Sequence, residues 1–362
     1  SPKRFAIPVA VGELAAGVLF GQSGFRILDA ASPNVKLLSQ LGFALVMMVV
    51  GSHIDVRSLL GKRNTARALL NVALVASSAI LCSWLIADLT GQIRLVPVFA
   101  VILSSSSAAV VLPLVADSME TPQSKKSMVR ILISQVAIAD LLTILVLPLS
   151  VGAGGTITPG LGIAAIVVTS FAIFLALRAL EARGLWKRLR RYSTKRRFGL
   201  ELRISLIMLL GLVWIAQAMS ITLMLAGFAL GLAIGANGMP KRLSKQLFAV
   251  SEGFFSPIFF VLLGAGIDVS AVFKSNALII LATLLGLAAL FCHLVPVVTG
   301  MRISLAVISA SQLGVPAAAV SIGLTNHYLT PGEGGAIMLG ALITLAATAV
   351  AVAAKRPFAE LG

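Results

Sequence analysis

Twelve long apolar runs, separated by short polar or Gly/Pro breaks, leave this chain very few folds to choose from. They lie at about 7–20, 37–53, 66–87, 95–115, 128–150, 159–178, 201–219, 220–236, 247–267, 275–298, 303–324 and 334–354, with the seventh and eighth parted only by a turn near Met219-Ser220. About 20 apolar residues span a hydrocarbon core of about 30 Å as a helix. Inside lipid each backbone N–H and C=O must be satisfied within the protein, which favours helices for runs of this length. The chain therefore reads as an all-α polytopic membrane protein with about twelve transmembrane helices. Charged residues make up 12% of it, about half the usage of soluble proteins. What remains after the twelve runs is short loops, with no room for an extramembrane domain.

The charges that do occur are sorted by loop. If the chain starts in the cytoplasm, 25 of its 29 Lys and Arg fall on the cytoplasmic face, and only Arg26, Lys36, Arg94 and Lys274 fall on the other. A miscounted helix would scramble such an asymmetry. The net charge of +16 is thus a topology signal and not a nucleic-acid footprint, although the cluster between Arg178 and Arg203 also suits the anionic headgroups of membrane lipids. The expected placement is a multi-pass protein of the bacterial inner (plasma) membrane with both ends of this chain cytoplasmic. No Lys or Arg is left over for the membrane interior. Cys82 and Cys292 lie within apolar runs and read as packing residues. Ser1-Pro2-Lys3-Arg4 opens the chain abruptly, without the pattern of a cleavable signal peptide.

An internal repeat organises the runs. Gly12-Glu13-Leu14-Ala15-Ala16-Gly17-Val18-Leu19-Phe20-Gly21 in the first parallels Ala226-Gly227-Phe228-Ala229-Leu230-Gly231-Leu232-Ala233-Ile234-Gly235 in the eighth. Gly51-Ser52-His53-Ile54-Asp55-Val56 ends the second, and Gly264-Ala265-Gly266-Ile267-Asp268-Val269 ends the ninth. The offset is 213 or 214 residues in both comparisons. Seven runs separate the copies, an odd number, so the two must cross the membrane in opposite directions. Inverted repeats with a site near the midplane, beside discontinuous helices, are a common transporter architecture.

The chemistry concentrates at mid-depth. The fourth run carries Ser104-Ser105-Ser106-Ser107, and its repeat mate, the eleventh, carries Ser309-Ala310-Ser311-Gln312-Leu313-Gly314-Val315-Pro316. Such stretches let a helix unwind where the freed backbone is buried in protein, so two broken, crossing helices are expected. Asp140 stands mid-way along the fifth run, in Ile138-Ala139-Asp140-Leu141-Leu142-Thr143. A charge at the bilayer centre costs about 2.5–3.5 kcal/mol on insertion scales. A carboxylate is a hard oxygen ligand, and either a proton or a small cation neutralises it; competition between the two is the minimal mechanism of exchange. Candidate ion- and proton-binding residues are Asp140, Ser105, Ser106 and Ser107, with Ala139, Thr143, Ser311, Gln312, His293 and Glu13 in support. No Ser/His/Asp order, zinc motif or phosphate-binding glycine loop occurs, so an enzyme is not expected; monovalent cation and H+ are substrates, and no cofactor is expected.

Val11-Gly12-Glu13-Leu14-Ala15-Ala16-Gly17, Ser105-Ser106-Ser107-Ala108-Ala109-Val110-Val111, Asp140 and the stretch from Pro257 to Asp268 together resemble the monovalent cation:proton antiporter-2 family, with its Kef-type membrane domain. The resemblance implies a homodimer of the sodium/proton antiporter fold working as an elevator. Residues 1–60 and 201–270 would form the dimer scaffold, 66–150 and 275–354 the moving core, and 159–200 a linker helix with a basic cytoplasmic loop. Family members usually carry one more helix at the start, and many have a cytoplasmic regulatory domain or subunit, to which nothing in this chain corresponds. The sequence also departs from the pattern. Ala139 replaces the Asn, Gln or Asp that usually precedes the ion-binding Asp, Val315 an acid after Gly314, and His53 a frequent Glu, while no basic residue is available in the tenth run. One carboxylate without a basic partner suggests electroneutral exchange of one Na+ or K+ for one H+. The competing readings are a sodium-coupled organic-anion symporter and a channel-like or non-transporting membrane subunit.

Overall fold

The computed structural model describes residues 9–29, 32–53, 62–116, 123–151, 157–183, 199–219, 223–238 and 240–354. Among them every regular element is helical. The first three runs become α1 (Val9–Phe20), α2 (Pro33–His53) and α3 (Lys62–Thr90). After a 3-10 turn at Ile93–Leu95, the fourth splits into α4 (Val96–Ser104) and α5 (Ala108–Ala116). The fifth to eighth are α6 (Gln123–Ser150), α7 (Ile157–Ala182), α8 (Leu200–Ala218) and α9 (Leu223–Ala236). The ninth is α10 (Lys241–Val250), a π-turn at Ser251–Phe255 and α11 (Ser256–Ala265). Pro257 lies two residues past the end of that turn; having no N–H for the carbonyl one turn back, it favours the local widening. Next come α12 (Val269–Phe273), α13 (Asn276–Leu294) with a 3-10 end at Val295–Thr299, the split pair α14 (Ile303–Ser309) and α15 (Gly314–Thr325), and α16 (Pro331–Ala354).

Each apolar run is therefore helical over most of its described residues, and the two serine-bearing ones are broken where the sequence predicts. Nine helices among the described residues are long and apolar enough to cross a membrane, against the twelve expected. The first and eighth runs are described only in part, over 12 residues in α1 and 14 in α9, and the fourth run is cut into two pieces of 9. Ile54-Asp55-Val56, Ser220 and residues 184–198 of the basic loop lie outside the described residues.

The chain forms two compact units, one of residues 1–30, 59–153 and 263–362, the other of 31–58 and 154–262. Each contains one close helix crossing, and the two crossings use repeat-related residues. In the second unit α9 lies against α2, so that a Cβ on Gly51 would sit 2.4 Å from Phe228 O and one on Gly235 2.6 Å from Ser52 O. In the first unit α1 lies against the end of α11, where a Cβ on Gly264 would sit 2.2 Å from Leu14 O and one on Gly21 2.2 Å from Ala265 Cα. Gly51 and Gly264 are 213 residues apart, as are Ser52 and Ala265, and Leu14 and Phe228 are 214 apart, as are Gly21 and Gly235. The repeat seen in the sequence is thus also a repeat of contacts, with only glycine allowing the backbones to approach. At the end of the second copy Asp268 caps α12, its Oδ1 accepting from Ala271 N at 2.9 Å and from the Ser270 hydroxyl at 2.7 Å. These bonds, the Ser270 hydroxyl first, hold its carboxyl below the usual carboxylate range.

Candidate functional site

The site belongs to the first unit and begins with two interrupted helices. At the end of α4 the chain turns extended at Ser105 (φ −76°, ψ 152°). Helix ends leave carbonyls without intrahelical donors, and here serines satisfy them: Ser104 Oγ donates to Ala100 O at 2.8 Å and Ser105 Oγ to Ile102 O at 2.8 Å. The second break repeats the device, with Ser309 Oγ on Ala306 O at 2.7 Å and Ser311 Oγ on Ile308 O at 2.8 Å. Pro316 sits in the first turn of α15, where its missing N–H costs nothing. A hydroxyl that has given its proton to a carbonyl keeps its oxygen lone pairs, so these serines can still face a cation.

The two breaks touch. Ser107 N donates to Ser311 O at 2.9 Å, and Ser106 Oγ donates to Ser309 O, the last carbonyl of α14, at 2.7 Å. Asp140 on α6 is 5% exposed, and its Oδ2 accepts from Ala108 N, the first residue of α5, at 3.3 Å. The carboxylate thus stands at the positive end of a half-helix. No Lys or Arg pairs with it among the described residues. The second break is held in the same way from α16: Gln312 N donates to Thr344 Oγ1, also at 3.3 Å, and Thr344 is fully buried. One turn on, Thr348 Oγ1 donates to Val307 O at 3.2 Å. Ala108 and Gln312 are 204 residues apart, and so are Asp140 and Thr344. Thr344 is the repeat mate of Asp140.

The structure brings Asp140, Ser106, Ser107 and Ser311 together at the crossing and shows the remaining expected residues in other roles. Ala139 is buried beside Asp140, and its carbonyl accepts from Thr143 Oγ1 at 2.7 Å, so the Thr143 hydroxyl serves its own helix. His293 is buried with Nδ1 2.9 Å from Ala289 O, one turn back in α13. Glu13 is part-buried on α1 and engaged in a polar interaction of its own. Gln312 is buried, and its Nε2 has no hydrogen-bond partner among the described residues.

Sequence reasoning missed three things. Thr344 was within reach, since carrying the 204-residue offset of the serine breaks on to the next helix lands on it. A hydrogen-bonded chain links α3, α6 and the turn after α13: buried Asn71 donates through Nδ2 to Oε1 of buried Gln135 at 3.0 Å, and exposed Thr299 donates through Oγ1 to Asn71 Oδ1 at 2.8 Å. Arg94 pairs with buried Glu333 and with the Tyr328 carbonyl, while the Tyr328 hydroxyl returns to Arg94 O. That last clamp joins segments more than two hundred residues apart, and no local pattern announces it. No group of three or more His, Cys, Asp or Glu able to hold a metal ion occurs among the described residues.

Comparison with known proteins finds relatives of this helical chain. The model of the transmembrane sodium/hydrogen exchanger family matches residues 2–356. The chain belongs to the sodium/hydrogen exchanger family. It is 25% identical over 94% of its length to a putative Na+/H+ antiporter, YjbQ, of Bacillus subtilis, and spans 58% of that protein. It is 26% identical over 91% of its length to a Na+/H+ antiporter of Enterococcus hirae, covering 88% of it. Its fold resembles that of the sodium proton antiporter MjNhaP1 from Methanocaldococcus jannaschii, with a TM-score of 0.65 at 15% identity over 96% of this chain and 90% of that one. These matches correct the narrower expectation: they support the exchanger family as a whole and do not single out the antiporter-2 branch with its Kef-type domain. Family membership makes the chain a multi-pass membrane protein, and the relatives it matches are named as Na+/H+ antiporters.

Proposed function

We propose that the chain exchanges a monovalent cation for H+, with Asp140 holding each in turn. The observation that carries this reading is the neutrality of Thr344. Holding a backbone N–H at a helix break needs an acceptor and not a charge, since a threonine does it in the second half at the same 3.3 Å. The carboxylate in the first half exceeds that structural need, and a buried charge is costly without a function. In the step itself the protonated carboxyl gives up its proton as the cation arrives, and the cation takes the two oxygens that the proton leaves. Net charge at the site is unchanged, so the exchange is electroneutral. The half-helix N-terminus at Ala108 steadies the bare carboxylate between occupants, and the oxygens of Ser105, Ser106 and Ser107 face the cation when it is bound.

Na+ is the first choice, because the relatives are named for it; K+ is the second. In this reading residues 66–150 and 275–354 carry the site across the membrane in an elevator movement against scaffold helices of a homodimer in the bacterial inner membrane, with both ends of the chain cytoplasmic. The test is a pH-sensitive dye trapped in proteoliposomes. Added Na+ is expected to drive proton movement at a rate independent of membrane potential, and Asp140→Asn to lower it by at least about 100-fold. Intact exchange in Asp140→Asn, or uptake of an organic anion that ignores pH, overturns the proposal.

A further inference from the structure

The two halves differ at one more position. Where the first half has Ala108, the second, 204 residues on, has Gln312. Its backbone is fixed, because Gln312 N is tied to Thr344 and the neighbouring Ser311 O to Ser107 N. Ser107 in turn precedes Ala108, whose N–H reaches Asp140. A carboxamide therefore leaves the chain one residue from the contact that joins the breaks, on the hydrogen-bonded path that ends at the carboxylate. It is 1% exposed, and its Nε2 meets no acceptor among the described residues. Buried amides are almost always bonded, so an unpartnered one inside an unwound segment points to a ligand that comes and goes.

Resting on the exchange reading above, we propose that Gln312 is the second side chain of the cation site and sets its affinity. A carboxamide suits this task, because a half-turn about its last bond exchanges a donor for an acceptor. With the cation bound, Oε1 faces it as a neutral oxygen ligand beside the carboxylate. With the proton bound, Nε2–H donates to the carboxyl oxygen that the proton leaves free. The amide is satisfied in both states and adds no charge in either.

The experiment measures half-saturating Na+ in two ways, by exchange in proteoliposomes and by Na+-dependent thermal stabilisation of the purified protein. Gln312→Leu is expected to raise it at least tenfold in both. Gln312→Met, unbranched and of similar length, carries the same expectation if the leucine variant does not accumulate. Gln312→Glu, which keeps an oxygen ligand, is expected to bind Na+ at least as tightly as the parent above pH 8. An unchanged half-saturating Na+ in Gln312→Leu, while the parent exchanges and Asp140→Asn does not, overturns the assignment alone. A parent that neither exchanges nor gains stability with Na+, K+ or Li+ overturns the exchange reading, and this assignment with it.

Discussion

The two broken helices have one construction and different chemistry. In each a serine run ends the first half-helix, the breaks touch through Ser107 and Ser311, and the following long helix holds a freed N–H 32 residues back, at 3.3 Å. In one case the holder is the carboxylate of Asp140, in the other the hydroxyl of Thr344. Duplicated architecture supplies a frame, and the frame does not dictate a charge. Function, on this argument, lies in the difference between the copies: one acid against a hydroxyl, one carboxamide against a methyl.

The comparison is broken most directly by making the halves alike. Asp140→Thr gives α6 the group that α16 already uses, with an oxygen still available to Ala108 N. Exchange is expected to fall by at least about 100-fold, while the melting temperature stays within a few degrees of the parent or rises, since a buried charge is removed. A variant that unfolds instead would mean that the carboxylate is structural after all. Dye dequenching and a thermal melt on the same preparation distinguish the two outcomes.

How far the sequence alone reached follows the same division. Patterns along the chain were legible: the apolar runs, the serine breaks, the glycines with an offset of 213 or 214, and the acid within the fifth apolar run. Asp140 was legible because a charge in an apolar run is conspicuous whatever it touches. The serines were found for their backbone effect, yet the hydroxyls of Ser104, Ser105, Ser309 and Ser311 bond carbonyls of their own helices while that of Ser106 reaches Ser309 O, a detail set by local geometry that composition does not encode. Arg94 with Glu333 and Asn71 with Gln135 were not legible, because each pair joins distant segments through side chains unremarkable in their own surroundings.

The glycine contacts sharpen the comparison at the level of stability. Gly51→Ala would press a methyl against Phe228 O, and Gly264→Ala would press one against Leu14 O, at 2.4 and 2.2 Å before any relaxation. Backbone must move in both cases, and overpacking of this kind costs about 1–3 kcal/mol. The expected result is a loss of melting temperature of similar size in the two variants, measured in the same detergent. Gly12, which has nothing within 4 Å of its would-be Cβ, is the control, and Gly12→Ala is expected to leave the melt unchanged. If one of the two contacts proved insensitive, the repeat would be one of sequence and not of energetics.

The smallest expected effect is also the one that isolates the structural half of the frame. Thr344→Val keeps the shape of the side chain and removes the acceptor for Gln312 N, leaving a buried N–H unbonded at a cost of about 1–2 kcal/mol. Thr344 Oγ1 also donates to Ala341 O at 2.7 Å, but that bond is local to α16 and its loss exposes no helix end. Thr344→Val is therefore expected to lower the melting temperature by a few degrees and to slow exchange only in proportion to the protein lost, with half-saturating Na+ unchanged. Thr344→Ser, which restores the oxygen, is expected to return the melt to the parent value. A Thr344→Val protein that melts like the parent but no longer exchanges would place the hydroxyl among the groups that handle the ion, and the division of labour between the two halves would have to be redrawn.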